Sequence, residues 1–587
     1  MPYLITLMSI ILTSKRYLPR VVRDDCCLEG ILAADALEYD HTATVECLAS
    51  PHKPQYNGGI IRNPELNHGL DSWSSFGNSK VEHRHAEGNG FIVARGRNQS
   101  YDSISQKVYL RKDLLYTFSA WVQLSDGEIP IRAVLKTRTG FRHIGVVEAK
   151  SGCWSMIKGG ITADSSGVAQ LYFESVSHTS VEIWIDSVSL QPFTKDQWAS
   201  HQRQNIQKNH KRKVQISVVD KGNNPVANAT VSIVQNRLGF PFGSAINTNI
   251  LNNPAYKNWF TPRFGVTVFE DELKWYSNEP TIGQEDYSSA DALLAFAKQN
   301  LIQVRGHNVL WDDAKYQPAW VGSLTTSQLS DAVWRRHNSV LTRYKGQMIG
   351  WDVVNENIHF TFLEDKLGPD ASGKFYAAAN AIDATATMFL NEYNTIENPN
   401  DPKVTPSSYV NKIIQIQAAG GHNLGIGLES HFKISPDIAY VRSGIDVLGA
   451  TGLPIWITEL DVLGGPSQAQ YLEQVLREFH SHPKINGIVL WAAWKPGGCF
   501  RMCLTDNNFN NLETGNVVDK LLREWGGLAV TTTGTTDSEG IIEVELFHGD
   551  YKVSVDGGRN DSSPSYVGLH ETKANEIGEK SHWSLIV

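Results

Sequence analysis

Between residues 240 and 525, eight short apolar segments alternate with amphipathic stretches, and this alternation constrains the fold more than any other feature of the chain. The strand candidates are Phe240–Asn247, Val266–Glu270, Gln303–Val309, Met348–Glu356, Met388–Asn394, Leu424–His431, Pro454–Val462 and Gly487–Trp494. Between them Leu472, Val475, Leu476 and Phe479 repeat at helical spacing. Ser288, Ser289, Ala290 and Asp291 read as a capping box. Pro406 opens another helix and Gly420-Gly421 closes it. Eight such units over about 285 residues predict a (β/α)8 barrel. A doubly wound open sheet is the alternative, and no Gly-rich phosphate loop supports it.

The flanks read differently. Residues 1–58 form a leader and an irregular entry. Residues 59–193 carry short alternating runs, among them Leu115–Val122, Ile131–Lys136, Ala169–Glu174 and Val181–Leu190, separated by SDG, ADSSG and EGNG turn signals. That pattern predicts an all-β sandwich of jelly-roll type. Residues 194–239 hold a polar, basic linker or solvated helix (195–213) and then a strand pair (214–234). Residues 526–587 carry further strands, notably 530–555. The two strand segments resemble the halves of a carboxypeptidase-regulatory-like sandwich, so the barrel is expected to be inserted into a small β-sandwich.

The chain has 53 Lys+Arg and 62 Asp+Glu, a net charge of −9, which argues against nucleic acid as a partner. No stretch reaches the roughly 18–20 apolar residues needed to span a membrane. The run Tyr3–Leu12 has the length of a signal-peptide core. No basic residue precedes it and no small-residue site follows it closely, so a secretory leader and an internal anchor both stay open. Six cysteines show no zinc-like spacing, and Cys499 and Cys503 are placed to close a small disulfide loop. Sequons stand at Asn98, Asn228 and Asn560. Sixteen Trp and 20 Tyr suit sugar rings as well as cores.

Two carboxylates stand out. MIGWDVVNE ends on Glu356, with Asn355 beside it, and PIWITELDV carries Glu459, then Asp461. A Glu at the end of an apolar barrel strand is costly as filler. Two on opposite strands of one barrel mouth suggest the carboxyl pair of glycoside hydrolysis, one protonating the leaving oxygen and one attacking the anomeric carbon. His431 and Asp461 are placed to keep Glu459 ionised, and ionised Glu459 raises the pKa of Glu356.

At this point the sequence resembles glycoside hydrolase family 10, the endo-β-1,4-xylanases, in its plant cell-wall type. The segments that carry the resemblance are VFEDELKWYSNEP, RGHNVLW, WDVVNEN, FLNEYN, GIGLESHF, ITELDV and LWAAW. The resemblance implies Glu356 as acid/base and Glu459 as nucleophile of a retaining mechanism, with His431, Asp461 and Asn355 supporting them. It implies Glu270, Asp271, Lys274, His307, Trp311, Tyr393, Glu429 and Trp491 as substrate-binding residues. The partners implied are xylan and xylo-oligosaccharides, with no metal or organic cofactor and a monomeric chain secreted to the cell wall. Four departures are visible: Asp271 where the bacterial pattern has Asn, Glu429 where it has Gln, Asp312 where it has His, and a loop with Cys499 and Cys503 where it has a second Trp after strand eight, so the leaving-group side is expected to differ. The first two add charge to an acidic site, so one of Glu429 or Asp271 is expected to be protonated or paired with a cation, with a mildly acidic pH optimum.

Residues 59–193 resemble a family 22 carbohydrate-binding module, through GGIIRNPELNHGLDSW, RNQSYDSISQKV, LYFES and VEIWIDSVSL. This implies Tyr101, Phe141, Tyr172 and Glu174 as sugar contacts, with Tyr172 as the ring platform. Transfer to a second sugar instead of water, and xylan binding without catalysis, are the competing functions.

Overall fold

In the computed structural model residues 37–86, 88–176, 180–556, 565–569 and 581–586 are described. The Tyr3–Leu12 run, Cys26, Cys27 and the Asn560 sequon lie outside them. All eight barrel strands form: β1 (Phe242–Ile246), β2 (Val266–Phe269), β3 (Gln303–Trp311), β4 (Gly350–Asn355), β5 (Thr387–Glu392), β6 (Leu424–Leu428), β7 (Ile455–Val462) and β8 (Ile485–Leu490). Each pairs in parallel with its neighbour, β8 with β1 and β6 with β7, so the sheet closes. The strands are almost wholly buried, as a parallel sheet wrapped by helices requires. The helix after β2 spans Ser288–Gln299 but lacks the expected capping box: no side chain caps it, and Asp291 bonds Tyr344 and pairs with Arg343 instead.

The N-terminal region is a ten-stranded antiparallel sheet folded on itself around a main apolar core, with a smaller cluster of Phe91, Val93, Trp121, Trp154 and Met156 besides. Its halves meet through a single pair, Gly145 with Gly159. A Cβ on Gly159 would lie 1.8 Å from the Ile144 carbonyl oxygen, so only glycine allows that corner. The two flanking segments also meet. Lys211–Val219 pairs antiparallel with Ile541–Phe547, and Thr230–Leu238 with both Thr531–Thr535 and Gly549–Asp556. Their apolar faces enclose a separate small core.

Of the two readings of 195–213, linker or solvated helix, the helix is what forms. Lys195–Asn209 is a helix with a Thr194 capping box, and it is docked rather than solvated. Trp198 is buried, donates to Glu478 Oε2 at 2.8 Å and has the Arg442 guanidinium 3.7 Å from its ring.

The sandwich is mounted firmly on the barrel helix Ile438–Gly449. Lys158 Nζ lies 3.1 Å from Asp446 Oδ2, both side chains being withdrawn from solvent. Tyr39, His41 and His482 also bond this carboxylate. Gly160 packs so close that a Cβ would stand 2.5 Å from the Ala439 carbonyl oxygen. A disulfide joins Cys47 to Cys153, 106 residues apart, and fastens the entry segment to the sandwich. The expected Cys499–Cys503 bridge forms as well.

Candidate active site

The C-terminal ends of the barrel strands open into a cleft of about 540 Å3. Every barrel residue singled out from the sequence lines it, except Asp461, which sits behind His431, and Asp312, which is held by Asn357 and the Leu363 N–H. Glu356 follows β4 with a left-handed backbone (φ 56°), its N–H bonded to the Asn391 carbonyl at 2.9 Å. That turn lifts its carboxyl out of the strand direction. Glu459 stands inside β7, buried, facing it across the floor.

The two glutamates are driven to opposite protonation states. Burial, then repulsion from Glu392 and Glu459, lifts Glu356 to about 8, with the Trp311 indole opposing in part. Burial also works against charge on Glu459. The His307 imidazole, the His431 hydrogen bond and charge, and the Lys274 ammonium outweigh it and hold the carboxyl near 2. Asn391 Nδ2 donates to Glu459 Oε1 at 2.9 Å and to Asn355 Oδ1 at 2.9 Å. This fixes the orientation of the Asn355 amide through its oxygen. Asn391 is itself oriented by Thr458 Oγ1 at 2.5 Å.

Behind Glu459 stand two relays. His431 Nε2 approaches Glu459 Oε2 at 3.4 Å and its Nδ1 meets Asp461 Oδ1 at 3.0 Å. Burial disfavours its charge, but Asp461 and Glu459 raise it to about 9. Arg501 in turn neutralises Asp461 at 2.8 Å. His307 Nε2 lies 3.8 Å from Glu459 Oε1, and its Nδ1 meets Asp352 at 2.9 Å.

The two extra acids resolve differently. Asp271 is held low: burial is overcome by Lys274 at 3.4 Å, the Tyr276 hydroxyl at 2.9 Å and Lys495 at 3.9 Å. Glu429 is pushed well up by burial and then by Glu459, Glu356, Glu392 and Glu397, so it keeps its proton. Asp312 receives the Leu363 N–H and the Asn357 amide, anchoring the segment after β4, and burial lifts it to about 7.

One wall brings aromatic rings and an ammonium together. Lys274 Nζ sits 4.8 Å from the Trp311 ring and 5.5 Å from the Trp491 ring, and Trp311 stacks on Tyr316. Glu270 is held by Asn247 at 2.7 Å and Lys495 at 3.0 Å. On the other side Tyr393 stacks on His359, which Glu392 grips at 2.6 Å. Asn391, Lys495, Arg501 and His359 were not foreseen. Asn391 lies inside the quoted FLNEYN segment and was the readable one. Lys495 and Arg501 lie in the loop after β8, where no periodicity points at them.

Among the described residues, Glu429, His431 and Glu459 come close enough to hold a cation, as do His41, Asp446 and His482. In each group protein cations already supply the charge, His431 in the first and Lys158 in the second.

In the sandwich the expected platform is covered. Tyr172 is buried beneath Phe76, the rings stacked at 3.9 Å: the edge strand Ser74–Phe76 pairs with Ser103–Leu110 in the same sheet, and the Phe76 side chain lies over the Tyr172 ring. The Tyr172 hydroxyl donates to Glu174 at 3.2 Å. Tyr101 (43% exposed) and Phe141 (58%) present the open ring surface instead.

A closed parallel barrel with a protonated and an ionised glutamate in one solvent-open cleft defines a barrel glycosidase. The family model for glycosyl hydrolase family 10 matches residues 232–511. Two Arabidopsis thaliana proteins, Endo-1,4-beta-xylanase 5-like and Endo-1,4-beta-xylanase 5, are each 38% identical to this chain. The first matches over 90% of this chain and 91% of its own length, the second over 94% and 95%. The CBM22-1–GH10 modules of Clostridium thermocellum Xyn10B align at 16% identity and a TM-score of 0.41, over 78% of this chain and 96% of theirs. The chain belongs to glycosyl hydrolase family 10.

Proposed function

We propose that this protein is an endo-1,4-β-xylanase that cuts plant cell-wall xylan with retention of anomeric configuration. The observation that carries the reading is the placement of Glu356 and Glu459 in one cleft, with burial and neighbouring carboxylates pushing the first up and His307, His431 and Lys274 beside the second holding it down. It makes an acid and a nucleophile available together from mildly acidic to neutral pH. The relatives named as xylanases over nearly the full chain support the substrate.

In the first step a Glu459 oxygen attacks the anomeric carbon while Glu356 gives its proton to the departing glycosidic oxygen. The C–O bond to the leaving sugar breaks as the ester to Glu459 forms. In the second step Glu356, now a carboxylate, takes a proton from water. The hydroxyl adds to the anomeric carbon and Glu459 leaves with its electron pair. The Asn355 amide, oriented by Asn391, is placed to bond the sugar 2-hydroxyl, an interaction that strengthens in the transition state. Lys274, Trp311 and Trp491 hold the ring on the non-reducing side.

The N-terminal sandwich is read as a xylan-binding module using Tyr101 and Phe141. The two disulfides support placement in an oxidising, extracytoplasmic compartment. Incubation with linear xylo-oligosaccharides tests the whole reading. Shorter products from the parent, and none from Glu459→Ala, are expected. Longer products would mean transfer to a second sugar, and none from the parent would leave a binding protein.

A further inference from the structure

We propose that the ring patch of the sandwich and the catalytic cleft are two stretches of one binding track for a single xylan chain. They join across the loop that follows β5. The inference rests on the xylanase reading above and joins the two surfaces that reading names, sandwich and cleft, into one.

The patch has an open surface. Phe76 stacks on Tyr172, Phe141 stands edge-on to Tyr172 at 6.3 Å, and Tyr101 stands edge-on to Phe76 at 6.2 Å. Lys136 Nζ sits 5.8 Å from both the Phe76 and Phe141 rings, a donor beside apolar faces. Phe141 and Tyr101 remain exposed, so the protein itself does not fill this surface. Rings flanked by a hydrogen-bond donor suit the apolar face and hydroxyl edge of a pyranose.

The border of the patch is a catalytic-domain loop. His143 Nε2 lies 3.5 Å from Glu174 Oε1, and the imidazole rests against the Pro399 carbonyl. Pro399 belongs to the loop that starts at Tyr393, which lines the cleft after β5, three strands round the barrel from Lys274 after β2. The loop is rigid: Asn394 Nδ2 and His359 Nε2 bond Asp401, while Glu397 Oε1 accepts the N–H groups of Asn394 and His431. One loop therefore holds the histidine behind the nucleophile and borders the ring patch.

The mounting is rigid too. The Thr162 N–H donates to Asp437 at 2.8 Å and the Glu148 N–H to Ser407 Oγ at 2.9 Å. Asp437 caps the helix after β6, and Ser407 lies in the first turn of the helix after β5. Both positions are on the barrel face where the cleft opens. With the Lys158–Asp446 pair they hold the patch at a fixed place on that rim. A chain leaving the cleft past Tyr393 and Lys433 runs over Pro399 onto the rings, on the leaving-group side.

The test is kcat/KM, with the bond cut, on linear xylo-oligosaccharides of increasing length, for the full chain and for Tyr101→Ala/Phe141→Ala. Both side chains are exposed, so folding survives. The parent-to-variant ratio should climb with length to at least about fivefold, of the order expected for two lost ring contacts. The parent should also cut long chains nearer their non-reducing end, a bias the variant loses and Phe141→Tyr retains. A ratio flat across length, or an unchanged cutting pattern, would overturn the track. Absence of cleavage by the parent would instead overturn the xylanase reading.

Discussion

His431 Nε2 lies 3.4 Å from Oε2 of Glu459, and the same imidazole is tied through Nδ1 to Asp461. A buried carboxylate would ordinarily take a proton. Here the imidazole charge, kept by Asp461, helps hold it ionised near 2. His431→Ala should therefore move the acid limb of kcat/KM upward by at least about one pH unit. A pH–rate profile from pH 3 to 9 checks this. An unshifted acid limb would mean that His307 and Lys274 suffice.

Glu356 must be protonated for the first step, so activity should fall above pH 8, where it loses its proton. Glu356→Gln removes the proton donor. The loss on xylan should be roughly 10²–10⁴-fold. It should be far smaller for an aryl xyloside whose leaving phenol needs little protonation. Equal losses on both substrates would assign Glu356 some other role.

Glu429 gives a stability prediction. Its folded pKa lies above the ordinary 4.5, so the folded chain keeps a proton that the unfolded chain releases as pH rises. Stability is lost across that window. Gln has the same shape and nothing to titrate. The Tm advantage of Glu429→Gln over the parent should be smallest near pH 4 and grow toward pH 8. A pH-independent difference would contradict a protonated Glu429.

Lys158→Met leaves Asp446 buried without its ammonium partner. Breaking a buried pair costs roughly 3–5 kcal/mol, and the remaining Tyr39, His41 and His482 donors favour the lower end. Calorimetry should show a lower transition for the sandwich. An unchanged thermogram would mean that the pair contributes nothing to docking.

The barrel was legible from eight apolar strand segments alternating with amphipathic ones, and the site from a Glu just after β4 and another inside β7, positions with few bland explanations. Glu356 and Glu459 could be named from that alone, and the seven segments of the family resemblance added the side walls. The pairing of 214–234 with 530–555 was legible because both carry strand alternation and matching turns. What could not be read depends on contacts between distant segments. Tyr172 and Glu174 alternate onto one strand face as expected, but nothing local says that Phe76 lies over that ring. Cys47 and Cys153 stand 106 residues apart, with no spacing rule to join them. The polar helix 195–209 buries only Trp198 and His201, too few to give an amphipathic stripe. Lys495 and Arg501 gain their roles from carboxylates on β7 and after β2.

The central claim is double displacement by Glu356 and Glu459. Proton NMR of the first products released from a xylo-oligosaccharide, before mutarotation, tests it directly. The account predicts that the newly formed reducing end appears first as the β-anomer, with the α-anomer growing in later. Initial appearance of the α-anomer would mean a single displacement by water and would contradict Glu459 as the nucleophile.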